Sequence, residues 1–103
     1  MKLDELISLI DRTSDLMYMS EIEKAYDLLS SLWQYITNYI TKFINNICIY
    51  NISDIGVTET DIVQQLKNLI DGYDNNDIML LADTLKYEIK ESLEIYKKLT
   101  ENS

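Results

Sequence analysis

The chain has no histidine, no proline, one cysteine and two glycines in 103 residues. Each shortage removes a class of protein. Without histidine there is no Ser-His-Asp or Cys-His catalytic arrangement. The Glu-x-x-His ligand pairs of di-iron bundles are missing for the same reason. A single cysteine, Cys48, cannot assemble a zinc site or close an internal disulfide, so nothing points to an oxidising compartment. Phosphate-cradling loops need glycines that this chain lacks. The many tight turns of a sandwich or barrel need them too. Arg12 is the only arginine. No apolar run approaches the roughly 20 residues that span a bilayer. Asp4 and Glu5 interrupt the N-terminal stretch where a signal peptide would be basic and then apolar. A cytoplasmic location is therefore expected, with no catalytic, cofactor or metal site.

Acid outnumbers base, eighteen residues to nine, for a net charge of −9. Direct binding to nucleic acid or to an anionic membrane is disfavoured, because both need a basic surface. A basic protein surface would instead be steered toward the chain, although acidity serves solubility before it serves function. The apolar fraction of 47% is that of a globular protein. A chain of this length reads as one domain, residues 1–103.

Hydrophobic spacing supplies the architecture. Leu3, Ile7, Ile10, Ser14 and Met17 recur at intervals of four and three, which predicts a helix over residues 2–18. Ser20 followed by Glu23 has the form of a capping box and is expected to open a second helix. The stripe of that helix is Ala25, Leu29, Leu32, Ile36, Tyr39 and Phe43, widened by Leu28, Trp33, Tyr35, Ile40 and Ile44. An apolar face so wide predicts two neighbours and a central position. Residues 46–57 are rich in β-branched side chains, but a lone strand would have no partner. The expectation is a frayed helix end, then a long connection that lays Ile49, Ile52 and Ile55 on the core.

Thr58 and Asp61 repeat the capping logic before a third stripe, Ile62, Leu66, Leu69 and Tyr73, supported by Val63 and Ile70. Gly72 fits its C-cap region. The run "DGYDNND" is rich in oxygen ligands but lacks the EF-hand order, and reads as one helix end followed by the next helix cap. Ile78, Ala82, Leu85, Ile89, Ser92, Tyr96 and Leu99 form the fourth stripe, flanked by Leu81 and Leu93. The fold expected is all-α, an antiparallel bundle of about four helices made of two helical hairpins.

Two carboxylate pairs, Glu88 with Glu91 and Asp11 with Asp15, sit close on their helices. Charges at helical spacing ordinarily form a solvated face, and a small bundle rarely has the concave pocket a catalytic pair needs. The eight tyrosines divide differently. Tyr39, Tyr73 and Tyr96 fall on core stripes. Stacking on single-stranded nucleic acid would require interleaved basic residues.

On the fourth helix, with Ile78 at 0° and about 100° per residue, Leu80 falls near 200°, Asp83 near 140°, Tyr87 near 180° and Glu91 near 220°. Leu80 and Tyr87 thus form a narrow apolar strip behind the core stripe, edged by carboxylates. The connection at 46–57 covers it, another protein chain does, or it is ordinary scattered apolar surface that needs no cover. Leu80, Asp83, Tyr87, Glu88 and Glu91 are the candidate partner-binding residues, since tyrosine is a favoured anchor and acids make a polar rim.

The same segment, "NNDIMLLADTLKYEIKESL", resembles the C-terminal signature of a family of small uncharacterised helical proteins from Firmicutes, a domain of unknown function. That signature runs roughly D-x-x-L-L-A-D-x-L-x-Y-E-L, then Pro and Leu. The match rests on Asp77, Leu80, Leu81, Ala82, Asp83, Leu85, Tyr87 and Glu88, with Ile89 in place of the final Leu. Glu91 or Ser92 stands where proline is frequent. The resemblance covers about a fifth of the chain; "MSEIEKAYDLLSSLWQYI" is more loosely similar to the family's second helix. It implies a bacterial cytosolic helical protein, marks Asp83, Tyr87 and Glu88 as its recognisable polar residues, and implies no activity.

The function expected is a non-enzymatic interaction module, such as an adaptor, chaperone-like protein or regulatory subunit, with a protein partner or a second copy of itself. An alternative is an acidic inhibitor that imitates nucleic acid, as phage defence inhibitors do. Its best segment is 54–77, with Asp54, Glu59, Asp61, Asp71, Asp74 and Asp77 against Lys67 alone. A toxin-immunity protein is also compatible.

Overall fold

The structure is a computed structural model that describes residues 1–101. Among them there are helices and no strand: α1 (Leu3–Tyr18), α2 (Ile22–Tyr50), α3 (Glu59–Asp74), α4 (Ile78–Thr84) and α5 (Lys90–Glu101). A π-helical turn, Leu85–Ile89, joins α4 to α5, so residues 78–101 form one continuous fourth helix. The four helices enclose one apolar cluster to which every one contributes. The antiparallel all-α bundle expected from the spacing is what the chain forms.

Where the helices stop was less legible. Ser20 caps nothing with its side chain. It closes α1 in the left-handed region at φ 61°, the Glu21 N–H donating to the Leu16 carbonyl and the Ser20 N–H to that of Met17. This is a Schellman turn, and α2 begins at Ile22 without a side-chain cap. Asn51 (φ 50°) and Asn76 (φ 51°) end α2 and α3 in the same left-handed way. Serine tolerates that conformation poorly because its Cβ crowds the following carbonyl. Ser20→Gly should therefore raise the unfolding free energy by about 1 kcal/mol, less the entropy glycine adds to the unfolded chain. Urea titration measures it.

The other caps form as the sequence implies. The Thr58 hydroxyl accepts from the Asp61 N–H at 3.1 Å while the Asp61 carboxylate accepts from the Thr58 N–H at 3.0 Å. The Asp77 carboxylate accepts the Leu80 N–H at 3.1 Å. Gly72 has another role than the end residue expected of it. It is buried inside α3, and a Cβ there would stand 3.1 Å from Leu81 Cγ and 3.3 Å from the Leu81 backbone nitrogen. The α3–α4 hairpin closes through that gap.

Three further expectations are corrected. The buried line of α1 is Leu6, Ile10, Thr13, Ser14 and Met17, so Ile10, Ser14 and Met17 lie inward as expected while Leu3 and Ile7 are only half-buried at its edge. The α2 helix does not fray at residue 46 but runs 29 residues, carrying Ile49 and Tyr50 past its neighbours into solvent at 72% and 71% exposure. Ile55 and Val57, not Ile49, are what the connection presses onto the core. Finally, α2 is not central. The fourth helix packs closely on α1 and α3, whereas α2 packs closely on α1 alone and meets α3 and the fourth helix only sparingly. Part of the wide apolar face of α2 is consequently left without a covering helix.

A seam of ion pairs fixes the antiparallel alignment of α1 and the fourth helix. Lys97 meets Asp4 at 2.6 Å, Lys90 meets Asp11 at 3.1 Å, and Lys86 meets Asp15 at 3.0 Å. The carboxylates Asp11 and Asp15 are thus held by lysines. Being half-exposed, such pairs set register more than they add stability. Beneath the seam lies a small buried polar layer. Ser92 donates to Gln65 at 2.7 Å and Thr13 donates to the Leu9 carbonyl at 2.7 Å. Thr84, fully buried where the π turn begins, has no partner for its hydroxyl among the described residues. Thr84→Val keeps the shape and removes an unsatisfied polar group. A gain of about 1 kcal/mol in unfolding free energy is expected in urea titration.

Candidate functional site

Two surfaces combine exposed apolar side chains with charge. The first is the back of the fourth helix, where the sequence placed its candidates. Leu80 and Glu88 are half-buried, and Asp83 and Glu91 are exposed. Tyr87 is 59% exposed. The connection does not reach Tyr87; Gly56 in it lies against Ile95 instead. The end of α1 comes closest. The Tyr18 hydroxyl donates to the Asp83 carboxylate in a very short hydrogen bond. Partial burial and that acceptor raise the Tyr18 phenol above the usual tyrosine range. Lys86 sits over the Tyr18 ring at 5.8 Å. The Lys86 ammonium is shifted up by its hydrogen bond to Asp15. Asp83 is thereby committed inside the chain, to a partner 65 residues away that no spacing argument could supply.

With so much of Tyr87 in solvent, Tyr87→Ala should change the unfolding free energy by less than about 0.5 kcal/mol, as surface substitutions do. A loss of several kcal/mol would mean that something covers the ring. Thermal melting decides between them.

The second surface is an open cleft of about 410 Å³ between α2 and α3, lined by Leu29, Ser30 and Trp33 on one side and Ile70, Tyr73 and Asp74 on the other. Antiparallel helices form it. They touch near its closed end, where the Tyr73 ring meets those of Tyr26 at 5.6 Å and Trp33 at 6.5 Å. The Tyr26 hydroxyl reaches Asn76 at 3.4 Å, and burial raises its pKa. At the far end the Cys48 thiol donates to Glu59 at 3.1 Å. That bond raises the thiol pKa and so disfavours the reactive thiolate. Tyr73, expected in the core, is 46% exposed, and Ile70 and Val63 are 41% and 51% exposed.

The sequence reading missed this cleft, although a signal for it was present. Val63 and Ile70 are seven residues apart and lie off the core stripe of α3, the same pattern that drew attention to Leu80 and Tyr87. Tyr26 and Trp33 repeat that interval on α2.

Chemically the cleft offers an apolar floor, two aromatic walls and one carboxylate. The Ser30 hydroxyl also lines it. Among the described residues no three His, Cys, Asp or Glu side chains gather as a metal site, and no helix is long and apolar enough to cross a membrane.

These features define an acidic all-helical bundle with an uncovered aromatic cleft. The chain belongs to the family described as Domain of unknown function (DUF8042), whose model matches residues 2–99. No curated protein and no solved structure matches it.

Proposed function

We propose that this chain is a non-enzymatic protein-interaction module of the bacterial cytoplasm, and that it docks its partner in the α2–α3 cleft. The observation that carries this reading is the half-open ring of Tyr73 facing Trp33 across an apolar floor. Aromatic side chains set in a concavity are the usual anchors of protein interfaces. A surface helix gains nothing from exposing Val63, Ile70 and Tyr73 together unless something else covers them.

A photo-crosslinking residue introduced in living cells at position 70, and separately at 87 and 64, tests it. Adducts of discrete mass from position 70, and not from the polar control at 64, support the cleft. Adducts from position 87 alone would move docking to the back of the fourth helix. Adducts from none would sink the reading.

The second reading, an acidic inhibitor that imitates nucleic acid, is favoured by one observation. Asp54, Glu59, Asp61, Asp74 and Asp77 are all exposed, and none of them forms an ion pair among the described residues. Such an inhibitor would lose affinity steeply with salt and would be indifferent to Ile70→Ser, whereas the cleft reading requires Ile70.

A further inference from the structure

Charge at the cleft is placed against the rules of helix ends. The C-terminal turn of α3 has the negative end of the helix dipole, where lysine or arginine is favourable and carboxylates are not. It carries Asp71 and Asp74 and no base. Asp74 also lines the cleft. Across from it, Glu23 lies seven residues before Ser30 and so on the same line of α2. None of these three carboxylates is ion-paired among the described residues. Lys67 is the one base on α3, and Lys24 is turned to Glu21 at 3.8 Å. Elsewhere the molecule treats its acids differently: Asp4, Asp11 and Asp15 are each matched by a lysine of the fourth helix. Negative charge without an ion-pair partner among the described residues thus stands at this aromatic cleft, in Asp74, and near it, in Asp71 and Glu23.

The shape of the cleft narrows the occupant. It lies between two antiparallel helices and is lined by about one turn of each, Leu29, Ser30 and Trp33 against Ile70, Tyr73 and Asp74. Outside the cleft, exposed Val63 continues the apolar line of α3 about 10 Å beyond Ile70. A helix laid in such a groove presents its own apolar residues at the same interval, while its flanks face the rims. Here the flanks would face Glu23, Asp71 and Asp74.

From this we infer that the α2–α3 cleft receives a cationic amphipathic helix of a partner protein. An apolar side chain of that helix packs on the exposed faces of Tyr73 and Ile70 beside Trp33, and lysine or arginine on its flanks meets Asp74, Asp71 and Glu23. The inference rests on the cleft being the docking site and adds the chemistry of what docks. It also explains the misplaced acids: the free protein carries an unfavourable helix end that the bound partner neutralises.

Trp33 is the only tryptophan, so its emission reports on the cleft alone. The probe is an 18-residue amphipathic peptide of leucine and lysine. Its controls are the same peptide with glutamate for lysine and a scrambled peptide of identical composition. The lysine peptide is expected to shift Trp33 emission saturably at one peptide per chain, more tightly at low salt, and the controls are not. Tyr73→Ser and Ile70→Ser, both at partly exposed positions, should weaken binding at least tenfold. Tyr87→Ser should leave it unchanged.

Asp74→Asn is the most discriminating variant. It should raise the melting temperature of the free protein, by relieving the helix end, and weaken the lysine peptide about threefold to tenfold. A merely structural Asp74 would not move the two readouts in opposite directions. Equal binding of the glutamate or scrambled peptide overturns the inference and leaves the cleft as a docking site. So does a failure of the lysine peptide to bind while position 70 still crosslinks to a partner. A doubled mass in sedimentation, reversed by Ile70→Ser, overturns it in favour of a second copy of this chain. Absence of both peptide binding and crosslinking removes the docking reading itself.

Discussion

Phe43→Ala should lower the unfolding free energy by about 3–5 kcal/mol, while Tyr50→Ala, seven residues further along the same helix, should change it by under about 0.5 kcal/mol. The two aromatics occupy equivalent positions of the heptad-like spacing of α2. Phe43 is fully buried and stacks at 5.2 Å on Tyr96, whose ring also meets Tyr39 at 6.5 Å. Removing the ring forfeits its transfer free energy and leaves a cavity that helices anchored by the ion-pair seam cannot collapse to fill. Tyr50 lies on the last turn of α2, beyond the helices that cover Phe43, and is 71% exposed. Urea unfolding followed by circular dichroism measures both. Similar losses for the two variants would mean that another surface covers the end of α2.

Gly72→Val should cost about 2–3 kcal/mol, within the range of overpacked cores. Two opposing effects act at this position. Replacing glycine inside a helix gains up to about 1 kcal/mol of helix propensity for alanine and less for a β-branched residue. Against it, the first carbon added already stands 3.1 Å from Leu81 Cγ and 3.3 Å from the Leu81 backbone nitrogen. The side-chain contact can yield by a rotamer change. The backbone contact cannot, because that N–H belongs to the first turn of α4, bonded to the Asp77 carbonyl at 3.0 Å. Valine adds two methyls outward from the same carbon and must prise α3 from α4. For a chain of this size the loss corresponds to a melting temperature lower by about 10–20 °C. Gly72→Ala, whose one added carbon meets the same Leu81 contacts without valine's further methyls and with a propensity gain to offset them, should fall between valine and the wild type. A valine variant as stable as the wild type would show that the hairpin has slack that the 3.3 Å approach denies.

Particular residues show how far sequence reading reached. The four stripes at intervals of four and three identified four helices because burial on one face of a helix requires that interval whatever the neighbours are. Thr58 with Asp61, and Asp77 alone, were readable as caps because a helix start is a local event within four residues. Ser20 with Glu23 had the same letters and failed. The chain there was already engaged in the left-handed turn that ends α1, and a residue at φ 61° cannot also serve as an extended N-cap. The π turn at Leu85–Ile89 left no trace in the sequence, since no glycine or proline marks it. It shifts every side chain beyond Leu85 relative to a regular wheel, so the alignment of Leu80 with Tyr87 in a straight α-helix does not survive in the fold.

The amino-acid sequence by itself determined that this chain is an acidic bundle of four amphipathic helices without the means for histidine, zinc or phosphate-loop chemistry. Those conclusions depend on composition and on period, and both are complete in one dimension. Tertiary structure alone decided which surplus apolar residues remain uncovered. Tyr73 and Tyr96 read alike on their stripes, yet one is 46% exposed and the other 8%. The difference comes from the distance between α2 and α3. That distance is a matter of contacts between residues far apart in the chain, as the Asp4, Asp11 and Asp15 seam is, whose partners stand 71 to 93 positions away. Period tells which face of a helix turns inward. It carries no information about how closely the next helix approaches that face, and the cleft exists because one of them does not.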